Sequence, residues 1–131
     1  IFYIAFYRKM NVELTKYLIS LNKFDITKKD RFGQNILHYA CSFIEPSSDL
    51  IIYIINLNKI DITEKNRYGR NILQMLCSKH SIELDLIKYI VSLDKINLDD
   101  KDKEGNDILQ ILQNNKYAPS KLSSFFSEMK K

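Results

Sequence analysis

The chain has 131 residues, the size of one domain, and its 45% hydrophobic and 27% charged content is that of a packed protein, not a disordered one. No apolar run, Leu50 to Ile55 included, approaches the roughly 20 residues a membrane-spanning helix needs, and no segment has the pattern of a signal peptide. The net charge of +4 is uneven: residues 1–98 carry 14 basic and 10 acidic side chains, residues 99–131 carry 6 of each, and Asp99, Asp100, Asp102, Glu104 and Asp107 crowd one late loop.

Residues 1–10 are almost all apolar at their start and read as the remnant of a first inner helix. The chain opens on Ile1, inside that helix, so it is expected to continue amino-terminally with further repeats or a domain packing on this edge. Asn11 is a candidate N-cap for an outer helix with Val12, Leu14, Tyr17, Leu18 and Leu21 facing inward. A loop over residues 22–35 ends in a tight turn, Asp30 to Gly33, and Asn35 is placed to cap an inner helix from Ile36 to Phe43. Pro46 breaks the chain, and Ser47 or Ser48 caps an outer helix from Asp49 to about Leu57. The plan then repeats: a turn at Asn66–Gly69, an inner helix over Ile72–Ser78, and an outer helix from about Ile82 to Leu93. It repeats again with a turn at Asp102–Gly105, an inner helix over Ile108–Gln113 and a last helix started by Pro119.

The period is strict. Gly33, Gly69 and Gly105 are the only glycines, and each is 36 residues from the next; Leu14, Leu50, Leu86 and Leu122 keep the same spacing, as do Tyr17, Tyr53, Tyr89 and Phe125. A constant period of this length marks stacked helical units that touch only their sequence neighbours. Asp30, Gly33, Leu37, His38 and Ala40 carry a more specific pattern, and with Asp25-Ile26-Thr27 and Asp61-Ile62-Thr63 the chain resembles the ankyrin repeat family. It departs from the family in having Asn35, Asn71 and Asp107 for Thr, Ile36, Ile72 and Ile108 for Pro, Gln74 and Gln110 for His, and a period longer than the usual 33 residues. The surplus is placed between the helices, around Ile44 to Ser48. The resemblance implies an all-α solenoid of helix-turn-helix units with hairpin loops, in one domain over residues 1–131. That domain divides into a partial unit (about 1–29), full units over 30–65 and 66–101, and a closing unit over 102–131 with a polar outer face.

Little in the chain suggests chemistry. His38 with Cys41 and Cys77 with His80 stand three residues apart on one helix face, but a structural zinc site wants four ligands and the two pairs run in opposite order. No metal site is expected. The cysteines read as small buried apolar residues, too far apart for an easy disulfide, which points to a reduced, intracellular, cytoplasmic setting. His38 reads, by the resemblance, as a structural residue bonded to a neighbouring loop. There is no nucleophile–base pair and no phosphate loop, so neither catalysis nor a cofactor is expected. Tyr17, Tyr53 and Tyr89 are read as packing residues.

The turn tips are another matter, since they hold large aromatics beside arginines, the composition of binding hot spots. The resemblance places a partner on the tips and the concave inner-helix face. The residues nominated are Arg31, Phe32, Gln34, Ser42 and Phe43, then Arg67, Tyr68, Arg70, Ser78 and Lys79, and then Lys103, Glu104, Asn106 and Gln113. Phe32 and Tyr68 either reach into solvent or fold back onto the neighbouring turn. The reading is a non-catalytic scaffold for a protein partner, one offering an acidic and partly apolar segment. The alternative is a nucleic-acid module using the Arg and aromatic tips, against which stand the dispersed lysines, the acidic last loop and the absence of any nucleic-acid-binding motif.

Overall fold

The computed structural model describes residues 12–22, 25–43 and 45–130. The helix expected over residues 1–10 and its Asn11 cap lie outside them. The described residues contain seven helices and no strand: α1 Val12–Ser20, α2 Ile36–Ser42, α3 Ser48–Asn56, α4 Ile72–Cys77, α5 Leu84–Ser92, α6 Ile108–Asn114 and α7 Ser120–Met129. Within each unit α2 packs on α3, α4 on α5 and α6 on α7. Between units α2, α4 and α6 form an inner row, and α1 lies against α3. The fold is an all-α solenoid.

The inner helices are six or seven residues long, too short to hold together alone. Two things compensate. The first is burial: all six residues of α4 are buried, Gln74 included, because this helix has an inner neighbour on both sides. The second is a capping box at every inner helix. Asn35 accepts from the His38 N–H at 2.9 Å while His38 Nδ1 accepts from the Asn35 N–H at 3.1 Å. Asn71 and Gln74 repeat the pair at 3.0 and 2.9 Å, and Asp107 and Gln110 do so at the same distances. Each departure noted in the sequence therefore keeps its physics. Asn or Asp supplies the cap oxygen, His or Gln the returning acceptor, and buried Ile36, Ile72 and Ile108 fill the first helical position.

The turns are equally regular. The Oδ1 of Asp30, Asn66 and Asp102 each accepts two backbone N–H groups, two and four residues on, at 2.9–3.0 Å. Gly33, Gly69 and Gly105 follow at φ +76°, +74° and +82°. Only Gly69 is also crowded: a Cβ there would stand 2.9 Å from the Lys103 backbone nitrogen, whose N–H donates to the Tyr68 carbonyl at 3.1 Å. Gly33→Ala is expected to cost about 1–2 kcal/mol through its backbone alone, and Gly69→Ala about 1 kcal/mol more, with the Tyr68–Lys103 bond lost. Urea unfolding of the two variants checks this; equal costs would show that the turns are not braced there. Asn22, Asn58 and Asp94, again 36 residues apart, close α1, α3 and α5 at φ 56°, 61° and 56°, doing without glycine what a helix end commonly uses glycine for.

One expectation is corrected. In α1 the buried residues are Thr15 and Ile19, while Leu14 and Tyr17 are 40% and 58% exposed and Leu21 is exposed as well. Val12 and Leu18 are half-buried. The equivalents of Leu14, namely Leu50, Leu86 and Leu122, are all buried. The stripe α1 presents to α3 is centred on Thr15 and Ile19, one flank away from the expected one. Helix ends also shift slightly. α5 starts at Leu84, two residues late, after Glu83, which makes no side-chain cap bond, and α7 starts at Ser120 with Pro119 in the cap position.

Candidate partner-binding surface

The tips of the first two turns are held in place from below and left open above. Phe32 and Tyr68 occupy equivalent positions, their backbone N–H groups bonded to Asp30 and Asn66, and the two residues are 44% and 57% exposed. They neither stand alone nor fold back into the core. The Arg31 guanidinium lies 4.8 Å from the Phe32 ring centre, and that of Arg67 lies 4.5 Å from Phe32 and 5.0 Å from Tyr68. The row Arg31–Phe32–Arg67–Tyr68 thus spans two units. The third tip ends it with exposed Lys103 and Glu104.

Several nominated residues have internal duties. Arg70 donates from Nε to Asp102 Oδ2 at 3.0 Å, and the Asp102 carboxylate is almost wholly buried. Lys79 Nζ donates to the Ser42 carbonyl at 2.9 Å, closing the end of α2, and burial draws its amine below the ordinary lysine range. Asn115, the residue equivalent to Lys79, does the same for α4, donating to the carbonyls of Cys77 and Lys79 at 2.9 and 2.8 Å. Phe43 is half-buried against the core. Gln34 reaches back to Asp30 at 3.4 Å. Asp30 also accepts from the Tyr39 hydroxyl, and burial, which would raise its carboxyl, is outweighed by these bonds. Ser42 and Ser78 are exposed, with their hydroxyls turned to the carbonyls of Tyr39 and Met75. Asn106 is half-buried and Gln113 exposed.

His38 ties its helix to the loop that ends its own unit: its Nε2 lies 2.9 Å from the Glu64 carbonyl. Because Nδ1 accepts from Asn35, the proton must sit on Nε2 and the ring is neutral. Burial, aided by nearby Lys29, depresses its pKa from 6.5 to about 4. Gln74 makes the same bridge, donating to the Asp100 carbonyl at 2.9 Å. Cys41 and Cys77 are free and buried, and burial pushes both thiols up to about 12, the opposite of a reactive cysteine. Among the described residues no three His, Cys, Asp or Glu side chains converge as metal ligands.

A feature beyond the nominated set is an open cleft of ≈ 400 Å³ between the last two units, lined by Arg70, Ser78, His80, Asn114, Lys116 and Tyr117 among others. His80 and Tyr117 stack at 4.0 Å across the unit boundary. The signal was present in the repeat: Tyr117 stands where the preceding units have Ser81 and Glu45. No helix among the described residues is long and apolar enough to cross a membrane. A family model described as ankyrin repeats (3 copies) matches residues 1–102. No curated protein matches the chain.

Proposed function

The chain belongs to the ankyrin repeat family, whose repeats are generally protein–protein interaction modules, and from that premise we propose that it is a non-catalytic scaffold that binds a protein partner through its turn tips and concave inner-helix face. The observation that carries the reading is the exposed row of Arg31, Phe32, Arg67 and Tyr68 on backbone-anchored turns. Aromatic and arginine side chains held in one orientation lose little entropy when a partner docks. The partner's segment is acidic, to match the arginines, and partly apolar, to cover the rings; Arg70 and Ser78 also line the cleft beside Tyr117. The setting is intracellular, in keeping with two free buried thiols. The helix α7 exposes Lys121, Ser124, Ser127 and Glu128.

The test is a pull-down with this chain, followed by affinity measurements on the recovered protein. Arg67→Ala and Tyr68→Ala are each expected to weaken binding by about 2 kcal/mol, some thirtyfold. Lys88→Ala, on the exposed side of α5, serves as control. If neither variant binds more weakly than Lys88→Ala, the surface is wrongly placed. Nucleic acid bound tightly, with a steep loss in salt, would favour the other reading.

A further inference from the structure

We propose that the Arg31–Phe32–Arg67–Tyr68 row is a two-pronged carboxylate clamp, made for an extended acidic segment of a partner protein whose Asp or Glu side chains stand two residues apart. This rests on the protein-binding reading above and adds to it the chemistry and spacing of the ligand.

A guanidinium laid over an aromatic ring keeps its N–H edges free in its own plane, and that planar fork is what pairs with a carboxylate through two parallel bonds. Arg67 is the best held, with Phe32 and Tyr68 at 4.5 and 5.0 Å. Both rings are anchored through their own backbone N–H groups, and the Tyr68 carbonyl is tied to Lys103. The prongs are also unspent. Among the described residues neither Arg31 nor Arg67 has a carboxylate partner, whereas Arg70 is committed to buried Asp102, and Lys29, Lys65 and Lys130 are engaged with Glu64, Asp100, and Asp99 and Asp107.

Spacing and charge select the ligand. The guanidinium carbons of Arg31 and Arg67 lie 4.8 and 4.5 Å from the same ring centre, so they cannot be farther apart than the sum of those two distances. An extended chain presents alternate side chains on one face about 6.6–6.8 Å apart, within that reach. A short acidic segment fits better than a polyanion, because a strand of phosphates continuing along the tips would meet exposed Glu104.

The experiment titrates the chain into two end-blocked, fluorescein-labelled peptides of one composition, Ser-Glu-Ser-Glu-Ser and Glu-Ser-Ser-Ser-Glu, with labelled oligothymidylate alongside. Five residues are too few to form a helix, so the peptides differ only in carboxylate spacing. The alternating peptide is expected to bind about fivefold more tightly. Arg67→Lys, which keeps the charge and removes the fork, is expected to abolish that preference, while the Arg67 Nε–H resonance of the unaltered chain shifts on titration. Equal binding of the two peptides, an undiminished preference in Arg67→Lys, or tighter binding of oligothymidylate than of either peptide would overturn the clamp. A pulled-down partner whose binding needs Ser78 and Gln113 but not Arg31 or Arg67 would overturn it too, and would leave the scaffold function standing.

Discussion

Lowering the pH from 6.5 to 4 is expected to remove about 3 kcal/mol from the stability of the folded chain, and His38→Gln is expected to abolish that loss. In the unfolded chain His38 takes a proton near its ordinary pKa of 6.5; in the fold it does so only near 4, because burial and Lys29 disfavour the cation. The native state also has no place for a second ring proton, since Nδ1 already accepts from the Asn35 N–H. A depressed folded pKa means that the contribution is fully present above 6.5, declines as the pH falls, and is gone below about 4. The carboxylates of Asp25, Asp30, Asp61, Asp102 and Asp107 are all held below 3.8, so their contributions begin to fade only at about pH 5 and are lost mostly below this window. Gln can substitute because Gln74 makes both bonds of the His38 pattern without a titratable group. Urea unfolding at pH 7, 5.5 and 4 would show a falling midpoint for the unaltered chain and a much shallower fall for His38→Gln. Parallel falls in the two proteins would mean that His38 is not the group responsible.

Asp102→Ala is expected to cost about 3 kcal/mol, and Asp102→Asn only about 1 kcal/mol. Asp102 is a buried carboxylate that accepts the N–H groups of Glu104 and Asn106 and the Nε–H of Arg70. Burial alone would raise its pKa; the bonds from Asn106, Arg70 and Glu104 outweigh burial and hold it down. Alanine removes all three acceptor contacts and leaves two backbone donors stranded in a tight turn. Asparagine keeps the turn through its Oδ1, as Asn66 does at the equivalent position, and gives up the charge and the Oδ2 acceptor opposite Arg70. Thermal unfolding of both variants provides the comparison. A cost for Asn as large as that for Ala would place the energy in the ion pair and not in the turn.

These two residues also show what could be read in advance. The glycines and the 36-residue recurrence of leucines revealed the array, its helix pairs and its capping residues, because all of these depend on local backbone demands that repeat with the unit. The capping role of Asn35 and the bridging role of His38 followed from spacing and family pattern. What stayed hidden lies between units and breaks the period. Lys79 and Asn115 are equivalent, yet one closes a helix end with an amine and the other with an amide. Arg70 points to Asp102 across 32 residues, a contact that no local pattern encodes. The His80–Tyr117 stack likewise pairs two linkers whose counterparts carry unrelated side chains. Leu14 misled where the period was taken as enough: it stands at the position of buried Leu50 and Leu86, yet α1 buries Thr15 and Ile19 instead.

The closing of α2 and α4 by the unit that follows each has a side that unfolds in time. The Ser42 carbonyl waits for Lys79 and the Cys77 carbonyl for Asn115. A ribosome supplies about 5–20 residues per second. Both helices therefore leave the exit tunnel with their last carbonyls open to water and keep them so for some seconds, until one more unit has been made. Maturation travels along the array one unit behind synthesis, and a pause between units leaves the newest helix exposed.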